Sequence, residues 1–118
     1  MKLVNLNTTG LKPGNIIEPA EPLWKRAPTR TSDGVILSDF MMTIPKLKHQ
    51  PLHIIKDVIK EIERVLTYYE KYVVFADLNL NLNVLWITVQ PVSGICAEVA
   101  AAIHHRVPEA KLVASKIN

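Results

Sequence analysis

The sequence predicts an α+β fold in which two helices cover one face of a small β-sheet. Between Val35 and Ile117 the spacing of hydrophobic residues alternates between the periods of a strand and of a helix. This pattern predicts the order strand, helix, strand, strand, helix, strand. The chain has 118 residues, 48% of them hydrophobic, which is sufficient for one core without metal or disulfide support. Its single cysteine, Cys96, cannot form an internal disulfide and is typical of a reducing, cytoplasmic compartment.

Residues 1–34 form a Pro-rich segment with no sustained helical period. We predict an extended N-terminal arm over 1–34 and a domain over 35–118. Within the arm, 3–6 is predicted as a short strand and Pro13-Gly14 as the centre of a turn. The arm also carries large apolar side chains, so we expect it to pack on the domain or on a partner subunit.

The first strand and helix of the domain have the clearest patterns. A strand is predicted over 35–44, where residues suited to a pleated sheet precede Pro45. Pro51 fits the first turn of a helix, and apolar residues then recur at spacings of three and four. Charged residues fill the opposite side, which predicts an amphipathic helix over 52–70.

A hairpin, a second helix and a last strand complete the domain. Strands are predicted over 72–78 and 82–90, joined by a short loop in which Asn81 takes the left-handed conformation. Ser93 is predicted to cap the second helix, and the last strand is predicted over 111–117.

This element order resembles the ferredoxin-like α/β plait over residues 35–117. The resemblance implies a four-stranded antiparallel sheet, βαββαβ in chain order, with both helices on one face. It also implies that the strands 35–44 and 82–90 are central and that the other two lie at the edges. Because this fold hosts regulatory, metal-binding, RNA-binding and catalytic families, the resemblance selects no activity.

The two central strands are largely apolar on both faces. One alternating set is predicted to face the helices, which leaves a second apolar set on the far side of the sheet. An exposed apolar patch of this kind marks an interface or a ligand site. We expect the arm, another subunit or both to cover it. The predicted oligomer or ligand face consists of Leu37, Asp39, Met41, Val84, Trp86 and Thr88.

Asp39 is a carboxylate within this otherwise apolar set, so it needs a partner. Lys25, Arg26 and Arg30 of the arm are the candidate cations, within one subunit or between two. We predict Trp24, Arg26 and Arg30 as arm contacts. The alternative role for Asp39 is to bind a ligand or to act as a general base.

The four histidines show no metal-binding pattern. Pro51 separates His49 from His53, and the adjacent His104 and His105 diverge by about 100 degrees on a helix. We therefore predict no metal site.

No nucleophile or phosphate-binding loop stands out either. Cys96 falls on the buried stripe of the second helix, where a thiol behaves as a small hydrophobic group. The four glycines form neither a dinucleotide-binding nor a P-loop pattern. We predict no catalytic residue and no cofactor.

Composition and patterning favour some partners over others. The net charge of +3 is mild, and Phe40 and Trp86, the aromatic residues of the central strands, are predicted on opposite faces, which disfavours nucleic acid. No apolar run is long enough to cross a bilayer, so no membrane partner is predicted. The favoured function is a homodimeric or larger module that binds a small molecule or a protein without turnover. The alternatives are a small enzyme using Asp39 and a histidine between the sheet face and a partner's arm, and a nucleic-acid-binding module.

Overall fold

The described part of the chain forms a five-stranded sheet with two helices. The structure is a computed structural model that describes residues 6–9 and 28–113. A 3-10 turn over Leu47–His49 precedes the first helix. The α+β class predicted from the sequence is confirmed. The strands are β1 (Asn7–Thr9), β2 (Ser38–Thr43), β3 (Val73–Asn79), β4 (Val84–Val89) and β5 (Lys111–Leu112), and the helices are α1 (Leu52–Tyr68) and α2 (Ile95–Arg106).

The strand order across the sheet is β1-β3-β4-β2-β5. β1 runs parallel to β3, and the other neighbouring strands are antiparallel. The sheet is therefore mixed, and the predicted four-stranded antiparallel plait is not confirmed. β2 and β4 are internal, as expected, but β3 is flanked by β1 and does not lie at an edge. β1 is a short polar segment, Asn-Thr-Thr, so its place depends on backbone pairing and not on a hydrophobic pattern.

The segment before β2 folds back on itself as a small hairpin. Arg30 forms an antiparallel bridge with Ile36, and the Leu37 N–H donates to the Thr29 carbonyl at 2.9 Å. β2 therefore begins at Ser38, later than predicted. Ile36 lies in this hairpin and not in the strand, and its side chain is exposed.

The core lies between the helices and one face of the sheet. Met42 pairs with Leu85, and Phe40 pairs with Ile87, and all four side chains are buried. This confirms which alternating set of the central strands faces the helices. The helices cover this set with fully buried side chains, which include Ile62, Leu66, Val99 and Ile103.

Two local predictions are wrong. Gly94, with a φ of 80°, occupies the N-cap position of α2, and Ser93 does not cap the helix. In the β3–β4 loop the left-handed residue is Asn83, with a φ of 56°, and not Asn81. The Oδ1 atom of Asn83 accepts the Lys48 N–H at 2.8 Å, which ties this loop to the 3-10 turn.

Other predictions fall on parts of the chain outside the described residues. They concern the turn at Pro13-Gly14, most of the short strand over 3–6, and the end of the last strand, 114–117. Within the described residues, no helix is both long enough and apolar enough to cross a membrane.

Candidate functional site

The predicted site lies on the sheet face opposite the helices, which we call the open face. Strand register places Met41 opposite Trp86 and Asp39 opposite Thr88. On the other side of β4, Asp77 of β3 also lies opposite Trp86, so Met41, Trp86 and Asp77 form one row across the sheet. Leu37 precedes β2, and the structure brings the other predicted face residues together. The open face consists of Asp39, Met41, Thr43, Phe75, Asp77, Asn79, Val84, Trp86 and Thr88.

Exposure along the central row of the open face increases from β3 toward β2. Asp77 is 2% exposed, Trp86 is half-buried, and Met41 is 37% exposed. Asp39, on the same strand as Met41, is exposed. Asp77 of β3 is therefore covered in the folded chain, whereas the β2 half of the face is accessible to a partner.

The indole of Trp86 is held in place by one hydrogen bond. Its Nε1–H donates to the Thr88 Oγ1 at 3.0 Å. The two residues are two positions apart on β4 and so share a face. Because Thr88 is buried, the bond is shielded from water. The Trp86 ring thus has a fixed orientation beside Met41.

Asp77 is a buried carboxylate that the sequence analysis missed. Asp77 and Asn79 alternate along β3 with the buried Ala76 and Leu78, a period of two that places polar groups on the open face. Asn7 of β1 lies opposite Asp77, and its Nδ2 donates to the Ala76 carbonyl at 3.2 Å. The alternation was readable from the sequence, but the pairing with β1 was not.

The predicted pairing of Asp39 with the arm is not found in the described residues. The Arg30 guanidinium donates to the Gly34 carbonyl at 3.1 Å, within its own hairpin. The other predicted arm contacts, Trp24 and Arg26, lie outside the described residues. Among the residues that are described, no hydrogen bond or ion pair engages the Asp39 carboxylate. Asp39 is therefore a charge available at the exposed side of the open face.

A cavity of about 540 Å³ lies at the edge of β2, beside the first turn of α2. Asp39 and Cys96 both line it, and its described lining includes no histidine. Burial raises the pKa of the Cys96 thiol, and the Asp39 carboxylate raises this pKa further. A raised pKa disfavours the thiolate, which is the nucleophilic form of a cysteine.

The histidines lie at separate places. His49 is in the 3-10 turn before α1, and His53 is in the first turn of α1. The Nδ1 of His104 lies 2.7 Å from the Ala110 carbonyl, just beyond the end of α2. Over residues 6–9 and 28–113, no three histidine, cysteine or acidic side chains are grouped as metal ligands.

A second cavity, of about 340 Å³, lies between α1 and α2, and we call it the helix groove. Glu61 of α1 forms ion pairs with Arg64 of the same helix and with Arg106 of α2. Sequence analysis missed this site because it depends on the packing of two helices. Its only signal was a set of basic residues in the last turn of α2. The groove is lined by Arg64, Val65, Tyr68, Tyr69, Ala102, His105 and Arg106.

Tyr69 lies at the other end of the helix groove, next to Glu98, which does not line the cavity. Burial raises the pKa of the Tyr69 hydroxyl, and the Glu98 carboxylate raises it further through a hydrogen bond and through its charge. Because Glu61 meets Arg106 whereas Tyr69 meets Glu98, the two helices run antiparallel. The groove therefore has a basic end at Arg64 and Arg106, and a carboxylate lies next to its opposite end.

No protein-family model, curated protein or solved structure matches this chain. Function is therefore inferred from the geometry of the open face and of the helix groove.

Proposed function

We propose that the protein is a non-catalytic binding module that forms a homodimer through the β2 half of its open face. The observation that carries this proposal is the Met41–Trp86 pair. Both side chains are large and apolar, they lie on the face opposite α1 and α2, and Met41 is 37% exposed. Burial of apolar surface contributes about 25 cal/mol per Å², so a partner on this face is favoured.

We also propose that residues 38–112 form a ferredoxin-like plait to which β1 adds a strand. The first and third strands of this region, β2 and β4, are internal and antiparallel, which supports the proposal. β1 then extends the β3 side of the sheet. In such a two-layer arrangement α1 and α2 both lie on the other face of the sheet, so no helix of the described residues covers the accessible half of the open face, and we expect a partner there.

Charge complementarity supports a second copy of the chain as that partner. Strand register places Lys111 of β5 beside Thr43, on the same face as Asp39. The face thus carries an acid at one end of β2, a base at the other end, and Met41 between them. Consider two open faces stacked on each other, with a two-fold axis that lies between them and runs perpendicular to β2 at Met41. This axis places Asp39 of one protomer over the Lys111 end of its partner. The face is therefore self-complementary.

The test is the mass of the full-length protein in solution, measured by sedimentation velocity and light scattering over a dilution series. The wild type is expected to have the mass of two chains at high micromolar concentration and to dissociate on dilution. Met41→Lys places a charge at the centre of the interface and is expected to sediment as a monomer. Leu82→Lys, an equally polar change at an exposed position in the β3–β4 loop, is the matched control and should remain a dimer.

The proposal fails if the wild type is monomeric at every concentration. It also fails if Met41→Lys and Leu82→Lys dimerise equally well. A circular dichroism spectrum and an urea unfolding curve for each variant show that a change in mass does not result from misfolding.

A further inference from the structure

The helix groove combines an apolar floor, cationic groups and an exposed aromatic ring. Val65 of α1 and Ala102 of α2 contribute the apolar part of its lining. Arg64, Arg106 and Tyr68 line the same cavity. Its volume of about 340 Å³ is within the range of small-molecule sites, which starts near 300 Å³.

One carboxylate positions both guanidinium groups. Glu61 Oε2 accepts from Arg64 Nη1 at 3.0 Å, and Glu61 Oε1 accepts from Arg106 Nη1 at 3.2 Å. Each guanidinium has five N–H donors, so each retains donors for a further acceptor. Because two positive charges share one negative charge, this end of the groove has a net positive charge. An anion with two oxygens is the chemical group that such a pair binds best.

Tyr68 determines the second feature that a ligand of the groove needs, which is a planar ring. Its side chain is 81% exposed, although its ring is anchored edge-to-face on Tyr69, with the ring centroids 5.0 Å apart. An anchored and exposed ring offers a surface for another planar ring. Glu98, at the Tyr69 end, repels an anion and so favours the opposite end, where the arginines lie.

We propose that the helix groove binds a small aromatic molecule that carries one anionic group, a carboxylate or a phosphate. The anion accepts hydrogen bonds from Arg64 and Arg106, and the ring stacks on Tyr68 over Val65 and Ala102. The site does not include the open face, so it does not depend on the proposed homodimer.

The test is a titration of the full-length, ¹⁵N-labelled protein, followed by amide shifts. Phenyl phosphate and 4-hydroxybenzoate are the aromatic anions, benzyl alcohol supplies a neutral ring, and inorganic phosphate supplies an anion without a ring. Both aromatic anions are expected to shift the amides of Val65, Tyr68 and Ala102 and to saturate. The neutral ring and the bare anion should each bind at least about tenfold more weakly, because each lacks one of the two interactions. If only one of the aromatic anions saturates, the proposal stands for that anionic group alone.

Variants separate this site from nonspecific charge attraction. Arg106→Gln and Tyr68→Ala should each weaken the aromatic anions by about tenfold. Arg30→Gln removes the same charge from a guanidinium in the hairpin before β2, and Leu82→Ala truncates an exposed loop side chain, so neither should change binding. The proposal is overturned if no amide of the groove shifts, if benzyl alcohol binds as tightly as the anions, or if Arg30→Gln weakens binding as much as Arg106→Gln.

Discussion

Met41 of β2 and Trp86 of β4 lie directly opposite each other on the open face, while the next pair, Met42 and Leu85, lies opposite on the helix side. One step along the chain therefore separates a half-exposed apolar pair from a fully buried one. The buried pair belongs to the core of the domain. The half-exposed pair is the surface through which we propose that two copies associate.

The two neighbouring methionines provide a matched pair for stability. Met42 is 1% exposed and is packed within the core, so Met42→Ala should lower the free energy of unfolding by about 2–5 kcal/mol. Met41→Ala, measured at a concentration where the protein is monomeric, should cost less than about 1 kcal/mol because its side chain is accessible to water. Urea unfolding of both variants gives the comparison. Equal losses would show that the two faces of β2 are buried alike.

Asn83 has a backbone conformation and a side-chain contact that substitutions can separate. Asn83→Gly keeps the left-handed backbone and loses the hydrogen bond to Lys48, so it should cost about 0.5–1 kcal/mol. Asn83→Ala loses the same bond and adds left-handed strain, so it should cost about 1 kcal/mol more than the glycine variant. The difference between the two unfolding free energies measures the strain. An alanine variant as stable as the glycine variant would contradict the assignment.

The thiol of Cys96 should react slowly and should respond to the charge of Asp39. Since burial and the Asp39 carboxylate raise its pKa above 9.0, little thiolate is present at neutral pH. The alkylation rate with iodoacetamide should therefore rise with pH and level off only above pH 9.0. Asp39→Asn should move this pH profile to lower pH. The pKa of the thiol should still stay above the ordinary value for cysteine, because the thiol remains buried. Asp33→Asn, in the hairpin before β2, is the control, and an unchanged profile in Asp39→Asn would be the contrary result.

Tyr69 should make the protein less stable in alkali. The folded state holds the phenol proton more tightly than the unfolded chain does, because the pKa of Tyr69 is raised in the folded state. The contribution of this shift to the free energy of unfolding is therefore complete below pH 10.0 and is lost as the pH rises further. Glu98→Gln should lower the pH at which Tyr69 ionises, measured by ultraviolet absorbance, with Tyr69→Phe identifying its share of the signal. Glu63→Gln serves as the control on α1. If Glu98→Gln leaves the titration in place, Glu98 does not contribute to the shift.

The sequence predicted those features of the fold that depend on hydrophobic period. α1 and the pairing faces of β2 and β4 follow from spacings of three to four residues and of two residues. The hairpin was predicted, but its left-handed residue was assigned to Asn81. β4 begins at Val84, two residues later than predicted, so the loop ends at Asn83, whose side chain also accepts the Lys48 N–H.

The candidate sites were predictable to different degrees. Alternation along β4 was sufficient to place Trp86 and Thr88 on one face. The meeting of Arg64 and Arg106 at Glu61 was not predictable, because the residues lie on two helices whose packing is set by the whole core. β1 was also missed, since its polar residues join the sheet through backbone hydrogen bonds.

The most direct measurement of the proposed homodimer is sedimentation of two charge-reversed variants, Asp39→Lys and Lys111→Asp, alone and mixed in equal amounts. In a two-fold dimer, each variant alone places like charges together at two contacts. Each contact should lower the binding free energy by about 1 kcal/mol, so the self-association of each variant should weaken by about 30-fold. In the mixture, each contact joins a lysine of one chain to an aspartate of the other. The mixture is expected to form a heterodimer with near wild-type affinity. A mixture that remains as monomeric as its components, or variants that dimerise alone as well as the wild type, would contradict it.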